Sequence, residues 1–115
     1  MRNQSNAPPA SFATFKTGTY PARFTSFRKF PWETGILTLD VGEFVYVTTS
    51  GKKISLIAAI TDAPDSDYVR HLGGLIGRGP TVNEIRDPTV WLNRRVLLRI
   101  GRRAGRSVIL SCEPP

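Results

Sequence analysis

Residues 94–112 restrict the fold more than any other stretch of this chain. Val96, Leu98 and Ile100 alternate with Arg95 and Arg99, a period of two that puts the apolar set on one face of a strand and the guanidinium groups on the other. Gly101, Arg102, Arg103, Ala104, Gly105 and Arg106 read as a turn, and residues 107–112 return as a second strand ending at Cys112. The chain therefore closes on an antiparallel hairpin with one face available to a core. Seven of the sixteen basic residues fall between Arg86 and Arg106, and six of those seven lie on this hairpin. Planar guanidinium forks donate paired hydrogen bonds to phosphate oxygens and keep their charge, so the outer face and tip suit a polyanion. They equally suit a hairpin kept soluble by arginines.

A chain of 115 residues with 40% apolar residues and eleven aromatics can fold around one hydrophobic core, but not two. Its net charge of +7 concentrates anions around it, and nucleic acid is the commonest polyanion in a cell. Cys112 is the only cysteine, so no internal disulfide is expected, and it reads as a small half-buried hydrophobe. No apolar run approaches the roughly 20 residues that span a bilayer. The N-terminus lacks the apolar centre of a signal peptide. Cytoplasmic residence without membrane contact is the expectation.

Residues 1–16 read as a flexible tail rich in Asn, Gln, Ser, Pro and Ala, with Phe12 and Phe15 as docking points, and residues 17–115 as the folded domain. A first strand covers residues 20–27, with Pro21 marking an edge or bend. A loop of residues 28–35 follows, then a strand at 36–41, a tight turn at Gly42 and Glu43, and a strand at 44–49. The apolar run 54–60 is a buried strand or an extension of the preceding sheet. Residues 62–67 look like a helix start, with capping side chains and acids in the first turn, Tyr68, Leu72, Leu75 and Ile76 fall at helical spacing, and Gly77 or Gly79 ends the helix. Residues 80–93 form a connector, anchored by Trp91 and Leu92.

Several strands, one helix and two closing strands is the element order of an OB-fold, a mostly β, five-stranded, partly open barrel with its helix between the third and fourth strands. Such barrels bind oligonucleotides on the face of the second and third strands, between the first–second and fourth–fifth loops. Here the first loop carries Arg28, Lys29, Phe30 and Trp32, and the second carries Arg102, Arg103 and Arg106. Strand alternation puts Leu37, Leu39, Val41, Val45 and Val47 toward the core and Phe44 and Tyr46 outward as stacking platforms. A slip of one residue would exchange the two faces. Arg95 and Arg99 join the outward set, Arg23 does so if it lines the same groove, and Asp40 there opposes a polyanion. Trp32 either stacks on a base or folds over the barrel mouth.

Three segments carry a family resemblance. They are Gly18-Thr19-Tyr20-Pro21-Ala22-Arg23 at the first strand, Tyr68-Val69-Arg70-His71-Leu72-Gly73-Gly74-Leu75-Ile76-Gly77-Arg78 on the helix, and Leu92-Asn93-Arg94-Arg95-Val96-Leu97-Leu98-Arg99-Ile100 before the return strand that ends at Glu113-Pro114-Pro115. In that order they resemble a loose group of phage and mobile-element proteins that bind single-stranded DNA through OB-folds. The resemblance implies a role in replication, recombination or mobile-element biology and carries over no individual functional residue.

Catalysis is not expected. His71, the only histidine, reads as a surface residue beside Arg70, and no cysteine or histidine cluster is spaced to hold zinc. The stretch from Gly74 to Gly79 superficially resembles a phosphate loop, but it ends a helix and lacks Gly-Lys-Ser/Thr. Asp62, Asp65 and Asp67 read as helix capping rather than cation ligands. The expected function is non-catalytic binding of single-stranded nucleic acid, DNA before RNA, with no cofactor. The alternative is a structural or adaptor subunit of a nucleoprotein complex that grips mainly protein; duplex or structured RNA is a third ligand class. Homo-oligomers through strand edges are compatible with Pro21.

Overall fold

The computed structural model describes residues 14–115, and one strand organises what it describes. That strand, β1 (Gly18–Glu33), is 16 residues long. It is flanked by β2 (Thr38–Thr48) and β4 (Arg95–Arg103), which are flanked in turn by β3 (Lys53–Ala59) and β5 (Arg106–Glu113). The result is a five-stranded antiparallel sheet ordered β3-β2-β1-β4-β5. The start of β1 pairs with β4, from Gly18↔Ile100 to Arg23↔Arg95, and β2 pairs with it from Ala22↔Thr48 to Glu33↔Thr38, so Ala22 and Arg23 are flanked on both sides. A bulge between Phe24 and Ser26 follows this overlap, and bulges of this kind bend a strand. Between β3 and β5 the described residues make no strand pairing, so the sheet is open there.

Helix α1 (Asp67–Ile76) covers the inner face of the sheet. The Ser66 hydroxyl accepts from the Val69 amide at 3.2 Å as the N-cap, and Gly77 ends the helix in the left-handed region at φ 93°. Asp67 lies in the first turn, and Asp62 and Asp65 precede the helix. Tyr68, Leu72, Leu75 and Ile76 are buried, as their spacing predicts. They meet Ala22, Phe24, Phe44, Tyr46, Ile54, Val96, Leu98, Ile100 and Cys112 in one core. At about 25 cal/mol per Å² of apolar surface, aromatic rings dominate the gain from such burial. Phe24, Phe44, Tyr46 and Tyr68 accordingly pack as tilted ring pairs, with centroids 5.5–5.9 Å apart.

Three local expectations are corrected. Residues 28–33 belong to β1 rather than to a loop, because β2 is long enough to pair with them. Gly42 and Glu43 lie within β2 rather than at a turn. A Cβ at Gly42 would come within 2.7 Å of the Phe27 ring, so this glycine admits a ring against the strand and does not reverse the chain. Phe44 and Tyr46 point inward, not outward: both are 0% exposed, Val45 and Val47 are half-buried on the outer side, and Leu37 and Leu39 are exposed. The large rings fill the space under α1, which the smaller valines would leave partly empty.

The connector is more ordered than its lack of period suggests. Helix α2 (Val82–Arg86) opens with a capping box between Thr81 and Glu84, and a 3₁₀ turn (Pro88–Trp91) follows. The buried Glu84 carboxylate accepts from both terminal nitrogens of Arg78, at 2.8 and 2.9 Å, and from Trp91 Nε1 at 2.9 Å. Arg78, aided by the Thr81 amide, holds that carboxyl down at about 2. Phe12 lies outside the described residues. Phe15 is 1% exposed, and its amide donates to Ser107 Oγ at 2.8 Å, so the folded part begins ahead of residue 17.

The helix glycines have a packing role. A Cβ on Gly74 would sit 2.0 Å from the Cys112 carbonyl oxygen, so α1 rests with its backbone against β5. Gly74→Ala should therefore lower stability by about 1–3 kcal/mol through overpacking, although alanine favours an isolated helix by about 1 kcal/mol. Gly79→Ala, with nothing within 4 Å of the added Cβ, should stay within about 0.5 kcal/mol of the parent. Urea unfolding of the two variants reads the difference.

Candidate functional site

The outer face of the sheet follows from register. On β1 and β4, Arg23 stands directly opposite Arg95, Pro21 opposite Leu97, and Thr19 opposite Arg99. On β2, Val47 lies opposite Arg23 on one side and opposite Lys53 of β3 on the other. All four of these cations are exposed. Among the described residues Arg23, Arg95 and Arg99 have no ion-pair partner. Like charges directly across a ladder cost stability. An arrangement that sets Arg23 against Arg95 is thus relieved by an anion between them. Beside this pair is an open cleft of about 700 Å³ lined by Pro21, Arg23, Thr25, Val47, Arg95 and Leu97, among others. The half-buried valines and Leu97 form an apolar floor, and guanidinium groups stand at its rim.

The other expected site residues are distributed around this face. Arg28 is on it, donating from Nε to Glu43 at 2.7 Å and lying 4.8 Å from the centroid of the Phe30 ring. Lys29 alternates to the opposite face, near enough to Asp87 to help lower the Asp87 carboxyl below its usual range, after the hydrogen bonds from Thr89. Trp32 is 51% exposed and stands across from Leu39 on the far part of the β1–β2 ladder, so it neither plugs a mouth nor faces the central cleft. Arg102, Arg103 and Arg106 are at the other end of β1. There β4 and β5 are joined through Ala104 and Gly105, whose φ values of 51° and 75° suit a two-residue hairpin turn. Arg102 reaches back to the Phe15 carbonyl at 3.4 Å. The two basic segments thus bracket the outer face from opposite ends. Phe44 and Tyr46 contribute nothing to it, being buried.

Val45 and Val47 lie on this face although alternation pointed them toward the core, and Leu97 and Lys53 join it without having been expected at a site. The signal that could have found them is Arg23 itself. Once β1 lies between β2 and β4, every residue in register with an exposed arginine shares its face.

Tyr46 has a different role. Its hydroxyl shares a 2.6 Å hydrogen bond with His71 Nε2 and lies 3.9 Å from Cys112 Sγ, all inside the core. His71 is a core residue and not a surface one, at 7% exposure. Burial lowers its imidazole to about 4 and raises the Cys112 thiol to about 12, while burial followed by the neighbouring Cys112 raises the Tyr46 phenol. A neutral triad at neutral pH pins α1 to β2 and β5; it presents no activated nucleophile. No group of three potential metal ligands occurs among the described residues. No helix among them is long and apolar enough to cross a membrane.

No protein-family model matches this chain, and no curated protein matches it. The resemblance to phage and mobile-element DNA-binding proteins therefore gains no support from these comparisons.

The His71 environment sets a pH dependence. The imidazole binds a proton near 6.5 when unfolded and only near 4 when folded, so its contribution is complete above pH 6.5 and lost as pH falls toward 4. At about 1.4 kcal/mol per unit, the loss is about 3 kcal/mol. Urea midpoints measured across that window should fall in the parent, and the step should be absent in a His71→Gln variant that still folds.

Proposed function

We propose that this protein binds single-stranded nucleic acid, DNA in the first instance, on the outer face of its sheet and without catalysis. The observation that carries the reading is the Arg23–Arg95 opposition beside an apolar cleft, with Arg99 and Lys53 on the same face. Phosphates bridge the arginines, and bases or sugars rest on Val45, Val47 and Leu97. The β4–β5 turn extends the cationic track at one end, while Arg28 at the other is paired with Glu43. Strand order and helix placement agree with an OB-like architecture, in which the gap between β3 and β5 would be the partly open seam. A role in replication, recombination or mobile-element biology remains part of this proposal and rests on the resemblance alone.

The centre of the face has no aromatic ring, so stacking, worth about 1–3 kcal/mol per base elsewhere, is confined to Phe30 near its edge and to the half-exposed Trp32 farther along the β1–β2 ladder. Phosphate contacts then dominate, which makes binding tolerant of sequence and steeply dependent on salt.

Fluorescence anisotropy of a labelled oligothymidine across a salt series tests this. An Arg23→Ala/Arg95→Ala/Arg99→Ala variant should bind at least about tenfold more weakly at low salt, at about 0.5 kcal/mol per exposed charge. Its salt slope should fall by about 2, at about 0.7 per lost phosphate contact. Tyr46→Phe should bind as the parent does. Unchanged binding in the triple-arginine variant would reject the outer face.

A further inference from the structure

Successive antiparallel pairings carry the sheet from β3 through β2, β1 and β4 to β5, so its two edge strands run in the same direction. Between them is a cleft of about 710 Å³ lined by Ile57 of β3, Ser107, Val108 and Leu110 of β5, and Arg70 and His71 of α1, among others. Ile57 and Leu110 are 48% and 44% exposed along it. A strand edge with free N–H and C=O groups beside exposed apolar side chains is a template for another strand.

The described residues begin at the mouth of this cleft. The Phe15 amide donates to Ser107 Oγ at 2.8 Å, at the start of β5. Lys52 Nζ, one residue ahead of β3, donates to the Thr14 carbonyl at 3.2 Å. The chain ahead of Thr14 therefore departs from a point held between the starts of both free edges.

We propose that residues 10–13 continue from this anchor along the free edge of β5, antiparallel to it, and seat Phe12 on Leu110 and Ile57. The register follows from the anchor. With Phe15 beside Ser107, antiparallel pairing sets Ala13 opposite Ile109 and Phe12 opposite Leu110. Alternation keeps Ala13 on the inner side with Phe15 and turns Phe12 outward. Each then meets a neighbour of its own kind. Ile109 is buried in the core with Phe15, whereas Leu110 is half-exposed and covers Gly101, where an added Cβ would come within 2.7 Å of it.

The composition of the segment suits the position. From Asn3 to Phe15 no side chain is charged, so laying it along the edge strips no ion of water. Pro8 and Pro9 have no N–H to offer a strand, so the pairing stops ahead of them. The docked segment covers the seam between β3 and β5 and does not depend on what the outer face binds.

NOE spectra of the labelled full chain, without nucleic acid, test the placement. Contacts are expected from the Phe12 ring protons to the methyl groups of Leu110 and Ile57. In a Phe12→Ser variant, which changes no residue of the core, amides of residues 108–111 that β4 does not bond should exchange with solvent at least about tenfold faster. Leu98 and Ile100 should keep the parent's exchange rates. Phe12 contacts to Val47 or Leu97 instead, no contact between Phe12 and β5, or unchanged exchange in the variant would each overturn the proposal. So would contacts that arise only between differently labelled chains in a mixture, which would assign the cleft to a second copy.

Discussion

Everything on the outside of this sheet depends on how α1 is held on its inside. The helix approaches β5 so closely that Gly74 has no room for a side chain beside the Cys112 carbonyl, and it is fixed to β2 by the hydrogen bond between His71 and Tyr46. That contact decides which face of the sheet is core. With Phe44, Tyr46, Leu98 and Ile100 turned toward the helix, alternation leaves Val45, Val47, Arg95 and Arg99 outward. Nothing about the exposed cations alone requires this; the buried rings do. The open side between β3 and β5 is spanned by the same helix, which touches both strands.

The outer face combines features that fit together physically. Two central strands carry arginines in direct opposition, an unfavourable arrangement in the empty protein that becomes favourable when an anion lies between them. Small apolar side chains beside them let a ligand approach the sheet. The projecting arm has the opposite character, with exposed rings and aliphatic side chains and carboxylates as its only charges.

The terminal hairpin, the helix limits and the buried cysteine could be read from the sequence because each depends on local pattern. Arg95, Val96, Leu98, Arg99 and Ile100 obey one alternation, and cap chemistry brackets the helix between residues 62–67 and Gly77 or Gly79, although Ser66 rather than an aspartate is the side-chain cap. The faces of β2 were not legible. Val-Tyr-Val alternates equally well in either register, and only the position of α1 makes rings preferable to valines underneath. Gly42 misled for a related reason: its function is to make room for Phe27, a residue fifteen positions earlier, and local reading of a glycine favours a turn. His71 was hidden in the same way, since its buried partner Tyr46 is on another element. Arg23, Arg95 and Arg99 were expected to face outward, but the direct opposition of Arg23 and Arg95 depends on β1 lying between β2 and β4.

The central claim is that the outer face, and not the aromatic inner face, receives the ligand. Amide chemical-shift mapping of the labelled protein titrated with oligothymidine reads this most directly. The largest shifts are expected at Arg23, Val45, Val47, Arg95, Leu97 and Arg99, with Leu72 and Leu75 on the buried face of α1 unmoved. Shifts confined to the β4–β5 turn, or centred on the buried face of α1, would contradict it.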